Sequence, residues 1–212
     1  MKTILRATAV CLVFGGSALA LTGERFPEIP LDKMTPQQRT VADAIMSGPR
    51  QRMSGPFNAW LRSPELADRL QKVGEYVRYK TSLPLKLNEF AILITAREWT
   101  SQYEWYAHYP LALKAGLDAK LADELALGQR PSAMTDDEAA VYDFCVQLHR
   151  TRNVDDAAFN HALALFGEQG VVDLIGVSGY YTAVSMTLNV ARVVPPDGVP
   201  LPLKPLSGAR SE

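Results

Sequence analysis

Cysteine is nearly absent from this chain. Of 212 residues only Cys11 and Cys145 carry a thiol. There is no CxxC pair, which excludes a dithiol redox motif and a cysteine-based metal site. Histidine is equally scarce, at three positions: His108, His149 and His161. Neither sign of charge dominates. The 22 basic and 23 acidic residues give a net charge of -1, so the overall charge leaves no electrostatic footprint for nucleic acid. Strand-like alternation with its accompanying turn signals is missing too, as is any internal repeat. Apolar residues at 47% and charged residues at 21% are those of a folded globular chain.

The first 20 residues, MKTILRATAVCLVFGGSALA, have the parts of a secretory signal peptide. Lys2 and Arg6 form a positive start, Ala7 to Phe14 an apolar segment too short to span a bilayer, and Ala18 and Ala20 the small residues of a cleavage site near Ala20. Export to a periplasm or the outside is the expectation. Cleavage removes Cys11 and leaves Cys145 alone, so no intramolecular disulfide can form in the mature chain. Cys145 itself sits in an apolar helical stretch and reads as a buried small hydrophobe.

Helix signals punctuate the remainder. Residues 21–34, with Pro27 and Pro30, read as an extended arm, and 35–193 as one helical domain. Thr35-Pro36-Gln37-Gln38 is a capping box with proline at the first helical position. Ser63-Pro64 starts a helix in which Leu66, Leu70, Val73 and Val77 are expected to form one buried stripe. The helix after Leu83-Pro84 is apolar on nearly every side through Phe90 to Ile94, which marks it as central. Another runs from near Ser101 to Gly116, with Pro110 expected to bend it or free a carbonyl. A short helix at 119–127, one opened by the box at Thr135 to Glu138, one from Asp155 or Asp156 to about Gly167, and a long last one at 168–192 complete an all-α set of about eight helices around a central buried hairpin. Residues 194–212 form a proline-rich tail, expected to be extended. Leu174 to Ala191 is 18 residues without a formal charge, the minimum for a membrane span. Its glycine, serine, threonine and asparagine content favours a buried bundle helix.

One grouping carries chemistry. Glu104 and His108 are four apart and share a helix face. Glu89 lies on the preceding helix, where a tight hairpin lets it approach that face. A carboxylate beside an imidazole orients the ring and raises its pKa above the usual 6.5 or so. Two bland readings compete: Ser101-x-x-Glu104 is itself a capping-box pattern, and Glu–His pairs four apart are common solvated contacts. One histidine with two carboxylates is thin for zinc, so no metal is expected. His149 and His161, in charged or amphipathic context, read as surface or boundary residues.

These residues also carry a likeness. LNEFAILITAREWTSQYEWYAHYPLALKAGL at 87–117 resembles the carboxymuconolactone decarboxylase family, which shares the alkylhydroperoxidase D-like helical fold. Weaker matches are GPFNAWLRSPELA at 55–67, VSGYYTAVSMTLNV at 177–190 and the proline-rich end; together they span about 35–203. In the peroxidase branch of that family a glutamate, a CxxC pair and a histidine act together. Here Glu89 and His108 match the glutamate and the histidine, but Ser101 and Glu104 stand at the two cysteine positions. Disulfide-cycling peroxidase chemistry needs those thiols and is disfavoured.

The decarboxylase branch implies a lyase or isomerase with no cofactor, acting by general acid–base chemistry on a small cyclic or aromatic-derived carboxylic acid or lactone. On that likeness His108 is the proton donor or relay, Glu89 orients or charges it, and Glu104 is a second acid–base group or a pocket wall. Asn58, Tyr180 and Asn189 are candidate substrate hydrogen-bonders, and Trp60, Trp105 and Tyr181 candidate pocket walls. A trimer or hexamer is implied, with a small molecule as partner and neither nucleic acid nor membrane after signal removal. The alternative is a non-catalytic exported binding or assembly protein on the same fold.

Overall fold

A computed structural model describes residues 25–206; the expected signal peptide at 1–20 lies outside them. Among the described residues the chain is all-α, with eight helices and no strand. They are α1 Pro36–Ser47, α2 Phe57–Trp60, α3 Pro64–Tyr79, α4 Leu85–Glu98, α5 Gln102–Lys114, α6 Ala119–Ala126, α7 Asp136–Thr151 and α8 Asp156–Ala191.

Local chemistry places these boundaries. At α1 the Gln38 amide N–H donates to Thr35 Oγ1 (3.3 Å) and Gln38 Oε1 accepts from the Thr35 N–H (2.9 Å), the reciprocal pair of a capping box. At α7 the Glu138 carboxylate accepts from the Thr135 N–H (2.8 Å) and from Lys86 Nζ (2.8 Å), tying the start of α7 to α4. The two expected C-terminal helices form one run, α8, broken at Gly167, whose φ of 66° and ψ of 180° are not helical. Glycine occupies that left-handed φ without a Cβ clash.

α4 is the axis. Every residue from Leu87 to Arg97 is buried, and α5, α6, α7 and α8 surround it. Burying a helix on all sides removes the polar face it would otherwise show, which explains its apolar run. Asp173 fixes α8 to this assembly: its carboxylate accepts from the Ser82 N–H and hydroxyl (both 2.8 Å) and from the Tyr76 hydroxyl (3.0 Å). By length and composition α8 could cross a bilayer, yet 56% of its most apolar window is buried within the bundle.

The stripe expected on α3 holds at Val77, is half met at Leu70, and is corrected at Leu66 and Val73. Leu66 and Val73 are 50% and 47% exposed, while Ala67, Gln71, Gly74 and Val77 face inward. At position 74 the buried side is reduced to a glycine because α8 presents the Tyr180 ring to it. A Cβ at Gly74 would overlap the Tyr180 hydroxyl and press on the Arg50 guanidinium. Leu66, Val73 and Tyr76 on α3, with Val172, Ile175, Met186 and Val190 on α8, remain exposed.

Of the expected arm, residues 25–34 are described, and they are free of regular structure apart from a 3-10 turn at Leu31–Lys33. Asn58 clamps it, accepting from the Ile29 N–H (3.2 Å) and donating to the Phe26 carbonyl (2.7 Å). The tail is free of regular structure through 206 and is held at Leu203, whose backbone both donates to and accepts from the Gln102 amide (3.1 and 2.6 Å). Gly74→Ala should destabilise the fold by about 1–3 kcal/mol through overpacking. Urea unfolding measures this, and an unchanged midpoint would show that Tyr180 and Arg50 yield freely.

Candidate functional site

The turn between α4 and α5 is three residues long. Thr100 takes a left-handed φ of 47°, and the Ser101 N–H donates back to the Ala96 carbonyl at 2.8 Å. This reversal lays α5 antiparallel along α4 and sets Glu89 opposite His108. The His108 Nδ1–H donates to Glu89 Oε2 at 2.6 Å, and Nε2 lies 3.1 Å from Glu104 Oε1. All three side chains are buried, at 3% exposure for Glu89 and His108 and 4% for Glu104.

Both bland readings of Glu104 therefore fail. The pair is not solvated. The capping box does not form either: Ser101 makes no side-chain cap, its Oγ is buried without a partner among the described residues, and Glu104 turns to His108 instead.

A neutral imidazole has one N–H and could donate to only one of the two carboxyl groups; the imidazolium donates to both. Burial pushes the His108 pKa down, but the charges and hydrogen bonds of Glu104 and Glu89 outweigh it and raise it to about 9. The ring is thus cationic at neutral pH. Tyr181 meets it edge-on, with ring centroids 5.2 Å apart and planes at 80°. Tyr180 stacks edge-on against Tyr181, also at 5.2 Å.

His108, Glu104, Tyr180 and Tyr181 line one cleft together with Arg50, Arg52, Arg78 and Tyr103. Its free volume is about 40 Å³, room for water but far below the roughly 300–1,000 Å³ of a typical ligand pocket. The loop between α1 and α2 supplies Arg50, Arg52, Ser54, Gly55 and Pro56 to its wall. The three arginines were not singled out from sequence. The signal was present in Pro49-Arg50-Gln51-Arg52, a basic pair in a loop that becomes informative only once α3 and α8 are seen to face it.

The other expected pocket residues lie elsewhere. Asn58 is committed to the arm. The Trp60 indole N–H donates to Thr187 Oγ1 at 2.8 Å, behind Tyr180. Trp105 faces a separate, larger apolar groove of about 480 Å³ with Tyr109, Leu127 and Pro200. Asn189 is exposed and donates to the Trp99 carbonyl at 2.9 Å. Helical spacing could not separate these fates, because residues one position apart on a helix point about 100° apart. The apolar groove is the roomier hollow, but its one carboxylate, Asp123, accepts from the Tyr109 hydroxyl, and it holds no histidine.

Cys145 is buried, its Sγ 3.6 Å from the Ser178 hydroxyl, and burial pushes its thiol up to about 12. His149 pairs with Thr95 Oγ1 at 3.0 Å and His161 with Asp136 at 3.1 Å. Among the described residues no cluster of three or more His, Cys, Asp or Glu side chains has metal-holding geometry. Comparison with known families, curated proteins and solved structures finds no match to this chain.

A folded pKa above the ordinary 6.5 means that the protonated ring stabilises the native state fully below about pH 6.5, and that this stabilisation is lost as pH rises through about 9. His108 should titrate near 9 by NMR, and Glu104→Gln or Glu89→Gln should lower that midpoint. Stability of the wild type should fall between pH 6.5 and 9 more than that of His108→Gln. A wild-type midpoint at or below 6.5 would contradict the two-carboxylate clamp.

Proposed function

We propose that the protein is a cofactor-independent lyase or isomerase acting by general acid–base chemistry on a small cyclic or aromatic-derived carboxylic acid or lactone. One observation carries this reading: a buried imidazolium held between two carboxyl groups, beside a cleft lined with arginines. The resemblance of Glu89, Glu104 and His108 to the carboxymuconolactone decarboxylase pattern supports the same chemistry.

Loss of carbon dioxide from an unsaturated lactone acid breaks a C–C bond and leaves its electron pair conjugated into the lactone carbonyl. The reaction completes when that carbanion takes a proton. His108, protonated at neutral pH, is the donor. Glu89 holds Nδ1 and fixes the ring, which leaves the Nε2 side, next to Glu104, as the proton-delivering edge. For an isomerisation a substrate carbon first loses its proton to Glu104, the electron pair shifts through the conjugated system to a second carbon, and that carbon takes a proton from His108. An arginine-bound carboxylate is stabilised in the ground state and resists leaving as carbon dioxide. A departing carboxylate therefore sits away from the arginines, and a second, retained anionic group of the substrate sits on them.

Thiol peroxidase chemistry is disfavoured on physical grounds, since Cys145 is buried with its thiol pushed to about 12 and a thiolate is the reactive form. The second reading, an exported binding or assembly protein, draws on the exposed apolar face of α3 and α8. The two are compatible if that face joins copies of the chain into the trimer or hexamer that the resemblance implies. The signal-like residues 1–20 support export.

His108→Ala should lower turnover about 10²–10⁴-fold on a substrate validated by carbon dioxide release, and undiminished turnover would remove His108 from the mechanism. Sedimentation at micromolar concentration should show an oligomer; a well-behaved monomer would contradict the assembly.

A further inference from the structure

The cleft has more hydrogen-bond donors than acceptors. Glu89 and Glu104 are both engaged with His108. Among the described residues none of Arg50, Arg52 and Arg78 forms an ion pair with a carboxylate. Two donors go further. The Tyr181 hydroxyl is buried with no hydrogen-bond partner, and so is Arg50 Nε. A buried polar group without a partner is costly, and a native structure retains one where something else supplies the missing atom.

Arg50 is also seated. Its guanidinium lies 5.1 Å from the Phe57 ring centroid and 5.9 Å from that of Tyr79, and Nη2 is 3.5 Å from the Tyr180 hydroxyl. The missing side chain at Gly74 leaves space for that hydroxyl and for the tip of Arg50. The rings hold the guanidinium through its charge; of its in-plane donors Nη2 is engaged with the Tyr180 hydroxyl, and Nε, on the fork that matches a carboxylate, has no partner. Tyr181 stays protonated, since burial and then the nearby Glu104 push its pKa well above 10, so its hydroxyl can donate at any physiological pH.

We infer that Arg50 and Tyr181 form an anchor for a carboxylate, holding one anionic group of the ligand beside His108. This rests on the cleft being the substrate site, as proposed above, and not on which reaction takes place there. The anchor makes Arg50 the residue that selects anionic over neutral ring compounds, with Tyr181 setting the distance to the imidazolium.

The test is equilibrium binding, read by calorimetry on the full protein with benzoate and with benzamide, its uncharged counterpart of the same shape. Wild type should bind benzoate at least about tenfold more tightly than benzamide. Arg50→Gln should weaken benzoate about tenfold or more, and Tyr181→Phe about three- to tenfold. Arg50→Lys, which keeps the charge and loses the fork, should fall between wild type and Arg50→Gln. Arg130→Gln, at an arginine paired with Asp143, should bind as wild type does. Thermal melting checks that each variant is folded. Equal benzoate affinity in wild type and Arg50→Gln, equal affinity for benzoate and benzamide, or no benzoate binding at millimolar concentration would each overturn the anchor. Turnover does not enter this measurement, so an inactive His108→Ala leaves the anchor standing, and unweakened binding in the Arg50 and Tyr181 variants removes it even if His108 proves catalytic.

Discussion

A carboxyl group on a helix with no exposed face is the constraint around which the molecule is arranged. α4 is enclosed from Leu87 to Arg97, so Glu89 cannot reach water. An unpaired buried charge is among the most destabilising features a fold can contain. The nearest remedy is an imidazole delivered from the adjoining helix, and the three-residue α4–α5 turn delivers it. That ring then presents a second nitrogen, which Glu104 meets. Two carboxyl groups share one imidazolium, and the arginines that could offset the remaining negative character line the same cleft. The charge on the ring and the pairing of Glu89 thus have one cause: burial first compels the pairing, and the pairing then keeps the ring protonated.

Much of this was legible before coordinates. The all-α class follows from the absence of alternation, and α1 and α7 begin at their capping residues. The centrality of α4 is readable because only a helix enclosed on all sides tolerates FAILI. The Glu89–His108 approach was readable as well, since a four-residue spacing puts Glu104 and His108 on one face and a short turn leaves the preceding helix little choice of neighbour.

What was not legible depends on the partner, not on the element. On α3 apolar spacing finds Val77 but also marks the exposed Leu66 and Val73, whereas the contact with α8 selects the smallest residue: Gly74 is inward so that Tyr180 can be. Asn58, Trp60, Trp105 and Asn189 are polar or aromatic residues in the right segments. Each is consumed by a local contact, with the arm, Thr187, the α5–α6 groove or the Trp99 carbonyl. No spacing rule distinguishes a side chain that faces a cleft from one that secures the wall behind it. Arg50, conversely, looks like an ordinary loop charge until the rings beneath it are in place.

The attachment of the proline-rich tail has its own consequence. Gln102 grips the backbone of Leu203, and Arg97, 1% exposed, donates to the Lys204 carbonyl at 2.6 Å. Both anchors flank the turn that aligns Glu89 with His108. This stretch of chain is therefore a keystone for the hairpin: a protease that clipped it ahead of position 203 would uncover a guanidinium at the heart of the bundle and slacken the very bend on which the imidazole's alignment relies.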